Sequence, residues 1–238
     1  MIRLKNLSSK LDIVLSDEQI EQFQIYYEML IETNKVMNLT AITQLDEVIT
    51  KHFLDSIALA NVYQNIKNKE LKIIDLGTGA GFPGIPLKIA FPQLQVTLMD
   101  SLNKRVNFLN SVIDELSLVN IDAIHGRAEE MARRTEYRQQ FDLCVSRAVA
   151  NLSTLNEYCL PFVKLNGMFI SYKSSDIEDE LNLSLNAIKI LGGKLTEVKK
   201  LSLPESDIER SFVMIKKIKN TPKTYPRKPG TASKEPIQ

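Results

Sequence analysis

The residues with the clearest capacity for chemistry lie in a short glycine-rich segment. Four of the nine glycines fall between positions 77 and 84, directly after an apolar run that opens at Leu71. A short apolar run of this kind predicts a buried parallel strand, and the glycines after it predict a turn into a helix. Glycine lets the backbone turn tightly and lets a ligand approach without meeting a Cβ atom, and the first helical turn offers unpaired N–H groups. The segment therefore predicts a nucleotide-cofactor loop in a doubly wound α/β sheet.

Two acidic residues beside this loop bear on which cofactor it binds. Asp75 stands two residues before Gly77, at the end of the strand, and Asp100 ends the next predicted strand. A fixed carboxylate at position 75 would repel a pyrophosphate, whereas S-adenosylmethionine has no phosphate and carries an ammonium and a sulfonium group. Asp100 is placed to accept both ribose hydroxyl groups. The acids favour S-adenosylmethionine, and a dinucleotide stays open because the segment from Gly79 to Gly84 also matches G-x-G-x-x-G.

The composition is that of an ordinary soluble globular protein. The chain has 238 residues, of which 44% are hydrophobic and 25% charged, so we expect one large α/β domain with an appendage. No apolar run is long enough to span a membrane, and neither a signal peptide nor a disulfide framework is recognisable, which favours a cytoplasmic protein. Cys144 and Cys159 lack the spacing of metal ligands, so no metal site is expected. The net charge is only +1, and nucleic-acid binding would have to come from local clusters of basic residues.

Hydrophobic periodicity divides most of the chain into two parts. Residues 1–65 predict a helical extension, in which a capping box of Ser16 and Gln19 begins one helix, a loop covers 34–43 and a second helix covers 46–63. Residues 66–218 alternate strands and helices, and a closing hairpin of late strands ends this part. A mostly parallel seven-stranded sheet of this kind is, by analogy, the class I Rossmann-like methyltransferase plan. The strands are predicted at 72–76, 96–100, 121–124, 141–145, 167–172, 194–201 and 212–217.

Polar residues outside the glycine loop have two interpretations each. His52, Asp55 and Ser56 lie beside the apolar face of the second helix, where they either line the mouth of the cofactor cleft or satisfy helix-end and packing contacts. The loop after the third strand passes the adenine in sheets of this kind, which places Ala128 and Glu129 beside the cofactor. A solvated helix start is the alternative for these two residues.

The last segment, 219–238, changes character. Basic residues are frequent from position 216 to 234, and three prolines between 222 and 229 interrupt them. Prolines at this density exclude a helix, and we expect a segment that cannot bury a core. It is interpreted either as a solvated, partly disordered tail or as an arm that binds RNA. In the second interpretation Lys223, Arg227 and Lys228 follow phosphates and Tyr225 stacks on a base.

Five motifs, in order along nearly the whole chain, resemble one protein family. They are KHFLDS at 51–56, DLGTGAGFPG at 75–84, DSLNKR at 100–105, SRA at 146–148 and NTPKTYPRKPG at 220–230. The family is the bacterial 16S ribosomal RNA methyltransferase G family, also called glucose-inhibited division protein B. The resemblance implies methyl transfer from S-adenosylmethionine to N7 of a guanine in a decoding-region loop, with 16S rRNA or the small ribosomal subunit as partner. We expect the enzyme to be a monomer. Cofactor contacts are expected at Asp75 and Gly79 of the loop motif and, by the resemblance, at Gly77, Phe82, Asp100, Ser101, Ala128, Glu129 and Arg147.

The residues after the fourth strand agree with an N7 target. N7 of guanine already presents a lone pair and loses no proton on attack, so no general base is required, and a Ser-Arg-Ala sequence stands where amino-group methyltransferases commonly carry a polar proline-rich motif. Arg147 is the candidate catalytic residue, in a positioning role, and is predicted to hold O6, a phosphate or the methionine carboxylate, with an ion pair as the alternative. Two further functions stay open, a nicotinamide-dependent oxidoreductase and a non-catalytic RNA-binding factor of ribosome assembly. The basic tail disfavours a small-molecule methyltransferase.

Overall fold

A seven-stranded sheet forms the centre of the computed structural model, which describes residues 1–147 and 150–238. The strand order is β3-β2-β1-β4-β5-β7-β6, with β1 to β5 parallel and β7 antiparallel to both of its neighbours. The doubly wound sheet with its closing hairpin is thereby confirmed. The strands are β1 (Lys72–Leu76), β2 (Gln95–Asp100), β3 (Ile121–His125), β4 (Phe141–Ser146), β5 (Val163–Lys173), β6 (Gly193–Ser202) and β7 (Glu209–Lys217).

The predicted helical extension is present as α1 (Ile2–Ser9) and α2 (Asp17–Met37). The capping box of α2 is confirmed, because Oγ of Ser16 accepts from the backbone N–H of Gln19 at 3.1 Å while Oε1 of Gln19 accepts from that of Ser16 at 2.8 Å. The same Gln19 side chain donates to the carbonyl oxygens of Ile89 and Ala90, at the end of the helix that follows the glycine loop. The start of α2 therefore caps the end of that helix.

The prediction of one regular helix over 46–63 is wrong, and the loop before it begins later than predicted. α2 runs to Met37, and Asn38 ends it in the left-handed conformation at a φ of 52°. Short helices then surround a π-helical segment, Ile49–Leu54. Its wider turn changes which side chains face inward, and Asp55, the residue after it, is fully buried. The short helices are α3 (Leu45–Val48), α4 (Asp55–Ile57), α5 (Leu59–Val62) and α6 (Asn65–Asn68).

Helices cover both faces of the sheet, which is why its inner strands carry apolar residues on both faces. The helices are α7 (Gly84–Ala90), α8 (Asn103–Glu115), α9 (Ala128–Met131), α10 (Leu152–Cys159) and α11 (Glu178–Ile190). Ile73 of β1 packs in the hydrophobic cluster that contains α2, α7 and α8, and its neighbour Ile74 packs in the one that contains α10 and α11. Successive strand side chains point to opposite faces, so β1 joins both cores.

The tail, residues 219–238, packs against the rest of the chain, and its interpretation as a solvated segment without a helix is wrong. Thr221, Pro226 and Ala232 are buried, and a short helix, α12 (Thr231–Lys234), follows the prolines. The cause is distant in sequence: Arg138 donates to the carbonyl oxygens of Thr221 at 2.9 Å and Tyr225 at 3.1 Å. These donors satisfy a proline-rich backbone that forms no ladder of its own. Across the ranges given above, no helix has the length and apolar character needed to cross a membrane.

Candidate functional site

A cleft of about 960 Å³ opens at the carboxyl ends of the central strands. Leu76 and Ser146, the last residues of β1 and β4, both line it. The strand order reverses between these two strands, and open α/β sheets bind ligands at that point. Ala148, the last residue of the Ser-Arg-Ala motif, lies outside the described residues. The predicted site residues that line the cleft are Gly77, Gly79, Phe82, Asp100, Ser101, Ala128, Glu129 and Arg147.

The glycine loop turns where its sequence predicts, and two of its glycines are required for different reasons. Gly79 has a φ of +63°, and a Cβ atom there would meet nothing within 4 Å, so this face of the loop is open to a ligand. At Gly84 a Cβ atom would lie 2.2 Å from Cδ2 of Leu98, so the first residue of α7 must be glycine to pack on β2. The hydroxyl group of Tyr26 in α2 donates to the carbonyl oxygen of Ala80 at 2.5 Å and holds the loop from outside.

Asp75 lies beneath the loop and not on the cleft surface. It is fully buried, and its Oδ2 accepts from Oγ1 of Thr78 at 2.6 Å and from the backbone N–H of Gly84 at 2.8 Å. Burial raises the pKa of Asp75 from 3.8 to about 6, against the lowering effect of these two hydrogen bonds. Its Oδ1 has no hydrogen-bond partner among the described residues. Asp75 therefore ties the two ends of the loop together.

Asp100 presents a fixed carboxylate to the cleft. Its side chain is almost fully buried at the end of β2, with Oδ1 accepting from the N–H of Leu102 at 2.9 Å and Oδ2 from that of Gly79 at 3.0 Å. The guanidinium group of Arg105 lies 3.4 Å from Oδ2. A carboxylate offers about four acceptor positions, so both oxygens keep capacity for hydroxyl donors such as those of a ribose. Ser101 follows at the cleft edge.

Arg147 and His52 both pack against the ring of Phe82. The His52 ring stacks on it with centroids 4.4 Å apart, and the Arg147 guanidinium lies 5.0 Å from the Phe82 centroid. Arg147 also approaches Nδ1 of His52 at 3.3 Å, while Nε2 of that ring is 2.9 Å from Oγ1 of Thr40. Burial, and then the charge of Arg147, lower the pKa of His52 from 6.5 to about 3. His52 is therefore neutral near pH 7, with Nδ1 as the acceptor.

Asp55 joins Arg147 to a cation that the sequence did not point to, Arg210. The carboxylate is fully buried and accepts from Nη1 of Arg147 at 2.8 Å through Oδ2 and from Nε of Arg210 at 2.7 Å through Oδ1. Nη1 of Arg147 is also within reach of the carbonyl oxygens of Lys51 and His52. Asp55 thus lines the cleft, which is one of its two predicted interpretations, and it makes the ion pair that was the predicted alternative for Arg147. Arg210 stands at the polar start of β7, where no local pattern marks it.

The predicted RNA-binding residues lie away from the cleft lining. Lys223 and Lys228 are exposed, whereas the guanidinium of Arg227 pairs with the buried carboxylate of Glu157 at 2.7 Å. Glu129, at the start of α9, is buried and its Oε1 accepts from the backbone N–H of Gly230 in the tail at 3.0 Å. In the described part of the chain no cluster of three His, Cys, Asp or Glu side chains could hold a metal ion.

Comparison with known proteins gives a consistent result. A family model described as rRNA small subunit methyltransferase G matches residues 19–212. The ribosomal RNA small subunit methyltransferase G of Lachnoclostridium phytofermentans is 57% identical over 94% of this chain and 91% of its own length. The protein of the same name from Alkaliphilus metalliredigens is 51% identical over 99% of this chain and 98% of its own length.

Solved structures share the fold at low identity. The M. jannaschii TYW2 complex with AdoMet has a TM-score of 0.51 and 17% identity, covering 68% of this chain and 74% of that one. A putative sarcosine dimethylglycine methyltransferase from Galdieria sulphuraria has a TM-score of 0.52 and 11% identity, covering 69% of this chain and 84% of that one. These likenesses concern the fold alone, and they confirm the Rossmann-like sheet of class I methyltransferases.

Proposed function

This chain belongs to the rRNA small subunit methyltransferase G family, and from that premise we propose that it methylates N7 of a guanine in a decoding-region loop of 16S rRNA. S-adenosylmethionine is the methyl donor. We further propose that the enzyme acts as a monomer in the cytoplasm, on 16S rRNA either free or assembled in the small subunit. The choice of N7 is supported by the groups that line the cleft.

The described lining of the cleft offers no strong general base. Both oxygens of Asp55 accept from arginines, those of Asp100 accept from backbone N–H groups, and Glu129 accepts from Gly230. The pKa of His52, about 3, makes it a weak base. A nucleophile that must lose a proton would find little help here, whereas N7 of guanine attacks with a lone pair and loses none. The lack of a strong general base in the described lining is the single observation that supports N7 as the target atom.

The residues fit S-adenosylmethionine at several points. The carboxylate of Asp100 suits the ribose hydroxyl groups, the open face of Gly79 allows close approach, and Ala128 and Glu129 lie at the β3 end of the cleft, where we place the adenine. When bound, S-adenosylmethionine supplies an electrophilic methyl group on its sulfonium. The remaining task of the protein is to orient the acceptor base in line with that group and to exclude water.

Arg210 is our candidate for orienting the guanine. Its Nε donates to Asp55, and its two terminal nitrogens have no hydrogen-bond partner among the described residues. A guanidinium held in this way can donate to O6 of guanine or to a phosphate without occupying N7. Arg147 gives most of its donors to protein acceptors, so we assign it the role of positioning Phe82 and Asp55. Lys223 and Lys228, both exposed, remain proposed phosphate contacts.

Labelled S-adenosylmethionine tests the proposal directly. The chain is incubated with unmethylated 16S rRNA, offered free and as small subunits, and the product is cleaved at 7-methylguanine by reduction and aniline. We expect one cleavage site. Label without aniline cleavage would place the methyl group on another atom, and no label in either substrate would overturn the proposed activity. Arg210→Gln should lower kcat/KM for RNA about a hundredfold while leaving the Kd for S-adenosylmethionine within about twofold.

A further inference from the structure

The tail is fastened to the helices that form one wall of the cleft. The carboxylate of Glu157 in α10 accepts from the backbone N–H, Nε and Nη2 of Arg227, at distances from 2.7 to 3.1 Å. Glu157 is only 1% exposed, so this ion pair is an anchor and not a surface contact. Oγ1 of Thr154, one turn earlier in α10, donates to the carbonyl oxygen of Ala232 at 2.9 Å. The tail therefore runs along α10 in a fixed register.

Beyond this anchor the tail reaches a residue of the cleft itself. The backbone N–H of Gly230 donates to Oε1 of Glu129 at 3.0 Å, and Gly230 has a φ of +82°, which favours glycine at this point. Tyr158, which also lines the cleft, lies among Glu129 and the tail, and its pKa is raised by burial and then by the charge of Glu129. The carboxylate of Glu129 is thus held between α9, α10 and the tail.

We propose that the tail is a positioning element for cofactor binding and that the N–H of Gly230 fixes Glu129 for the adenosine end of S-adenosylmethionine. A glutamate side chain at a helix start samples several rotamers in water, and ordering it on binding weakens affinity. The hydrogen bond from Gly230 selects one arrangement before the ligand arrives. The inference rests on the proposed function and extends it, because it assigns the tail to the cofactor as well as to the RNA.

Truncation inside the tail tests this role. A chain that ends at Pro229 keeps Arg227 but lacks the Gly230 donor, and a chain that ends at Glu235 keeps both and serves as the matched control. Binding of S-adenosylmethionine and of 5′-methylthioadenosine, which lacks the methionine end, is measured by calorimetry on chains shown to be folded by near-UV circular dichroism. We expect the Pro229 chain to raise both Kd values about tenfold and the Glu235 chain to change them less than twofold.

Coupling to Glu129 separates positioning from general stability. Glu129→Ala should raise both Kd values in the full chain. It should cause no further rise in the chain that ends at Pro229, because both changes remove the same hydrogen bond between Gly230 and Glu129. Additive effects, or an unchanged Kd in the Pro229 chain, would overturn the inference. Weaker RNA binding with an unchanged cofactor Kd would likewise overturn it and restore a purely RNA-binding arm.

A substitution within the full chain guards against misfolding of the truncated one. Thr154→Val keeps the shape of the side chain but removes its donor to Ala232, and it should raise both Kd values about threefold. If the truncated chain does not fold, this variant decides: an unchanged Kd refutes the inference. Failure of the full-length chain to bind S-adenosylmethionine at all is a separate outcome, which refutes the proposed function.

Discussion

Asp55 offers the sharpest test of how the cleft is built. Its carboxylate is 0% exposed and separates two arginines, Arg147 and Arg210, whose side chains are 15% and 25% exposed. Asparagine has nearly the same shape but no charge, and its amide group would point a donor at one of the guanidinium groups. Asp55→Asn therefore leaves two neighbouring cations without their shared anion, in a site that water reaches only in part.

The expected loss of stability follows from these contacts. Breaking a buried ion pair costs about 3–5 kcal/mol, because the remaining charge stays buried and unpaired. Partial exposure lets water solvate the two arginines, so we expect the low end of this range, about 3 kcal/mol. For a chain of this length each kcal/mol lowers Tm by about 2–4 °C, which gives a fall of about 6–12 °C.

Urea unfolding of the native chain and of Asp55→Asn measures this loss. Glu32→Gln is the control, because Glu32 pairs with Lys35 at the surface and 75% of its side chain is exposed. This substitution should change the free energy of unfolding by close to zero. A loss below about 1 kcal/mol for Asp55→Asn would refute the reasoning. Arg210→Gln should also cost at least about 1 kcal/mol less in the Asp55→Asn chain than in the native one, because there it removes an uncompensated charge.

Three further predictions concern single residues of the site. Asp75→Asn should remove a contribution to stability that decreases as pH rises from 3.8 to about 6, because burial raises the folded-state pKa and ionising the buried acid costs stability. Urea unfolding of the native and variant chains across this range measures the contribution, and equal pH slopes for the two chains would contradict the assignment. His52→Gln should remove a contribution of the opposite sign, because the folded-state pKa is lowered from 6.5 to about 3 and the stability that this group contributes is lost as pH falls through that window. Equal losses toward acid pH in the variant and the native chain would show that another group is responsible. Gly79→Asn should raise the Kd for S-adenosylmethionine at least about tenfold, because the new side chain enters the open face of the loop. The free energy of unfolding should change by about 1 kcal/mol or less, because asparagine tolerates a positive φ. An unchanged Kd in calorimetry would mean that this face does not meet the cofactor.

Local sequence was enough for the features that depend on neighbouring residues. The apolar run before Gly77 and the acid that ends β2 predicted the two strands beneath the cofactor, because a strand buried on both faces has a recognisable composition. The capping box at Ser16 was likewise predictable, since both partners lie within one helical turn.

Features that depend on distant partners could not be predicted in this way. Arg210 meets Asp55 across 155 positions, and the fate of the tail depends on Arg138, whose donors replace a missing ladder. The π-helical segment also has no local signature, because its residues alone would fit a regular helix. Asp75 was predicted to be near the cofactor and lies beneath the loop, since only the packing of α7 on β2 decides which way its carboxylate turns.

The hydrogen bond from the Tyr26 hydroxyl group to Ala80 links α2 to the glycine loop. A Cβ atom on Gly81 would lie 2.7 Å from the same hydroxyl oxygen, so the loop is shaped to fit a residue of α2. Docking of α2 on the loop and binding of the cofactor in the cleft should therefore be thermodynamically coupled. Bound S-adenosylmethionine should slow amide hydrogen exchange in α2. An isolated fragment 66–218 would keep the sheet but lack Tyr26, which holds the glycine loop in shape. We therefore expect cofactor binding to require α2 together with the sheet.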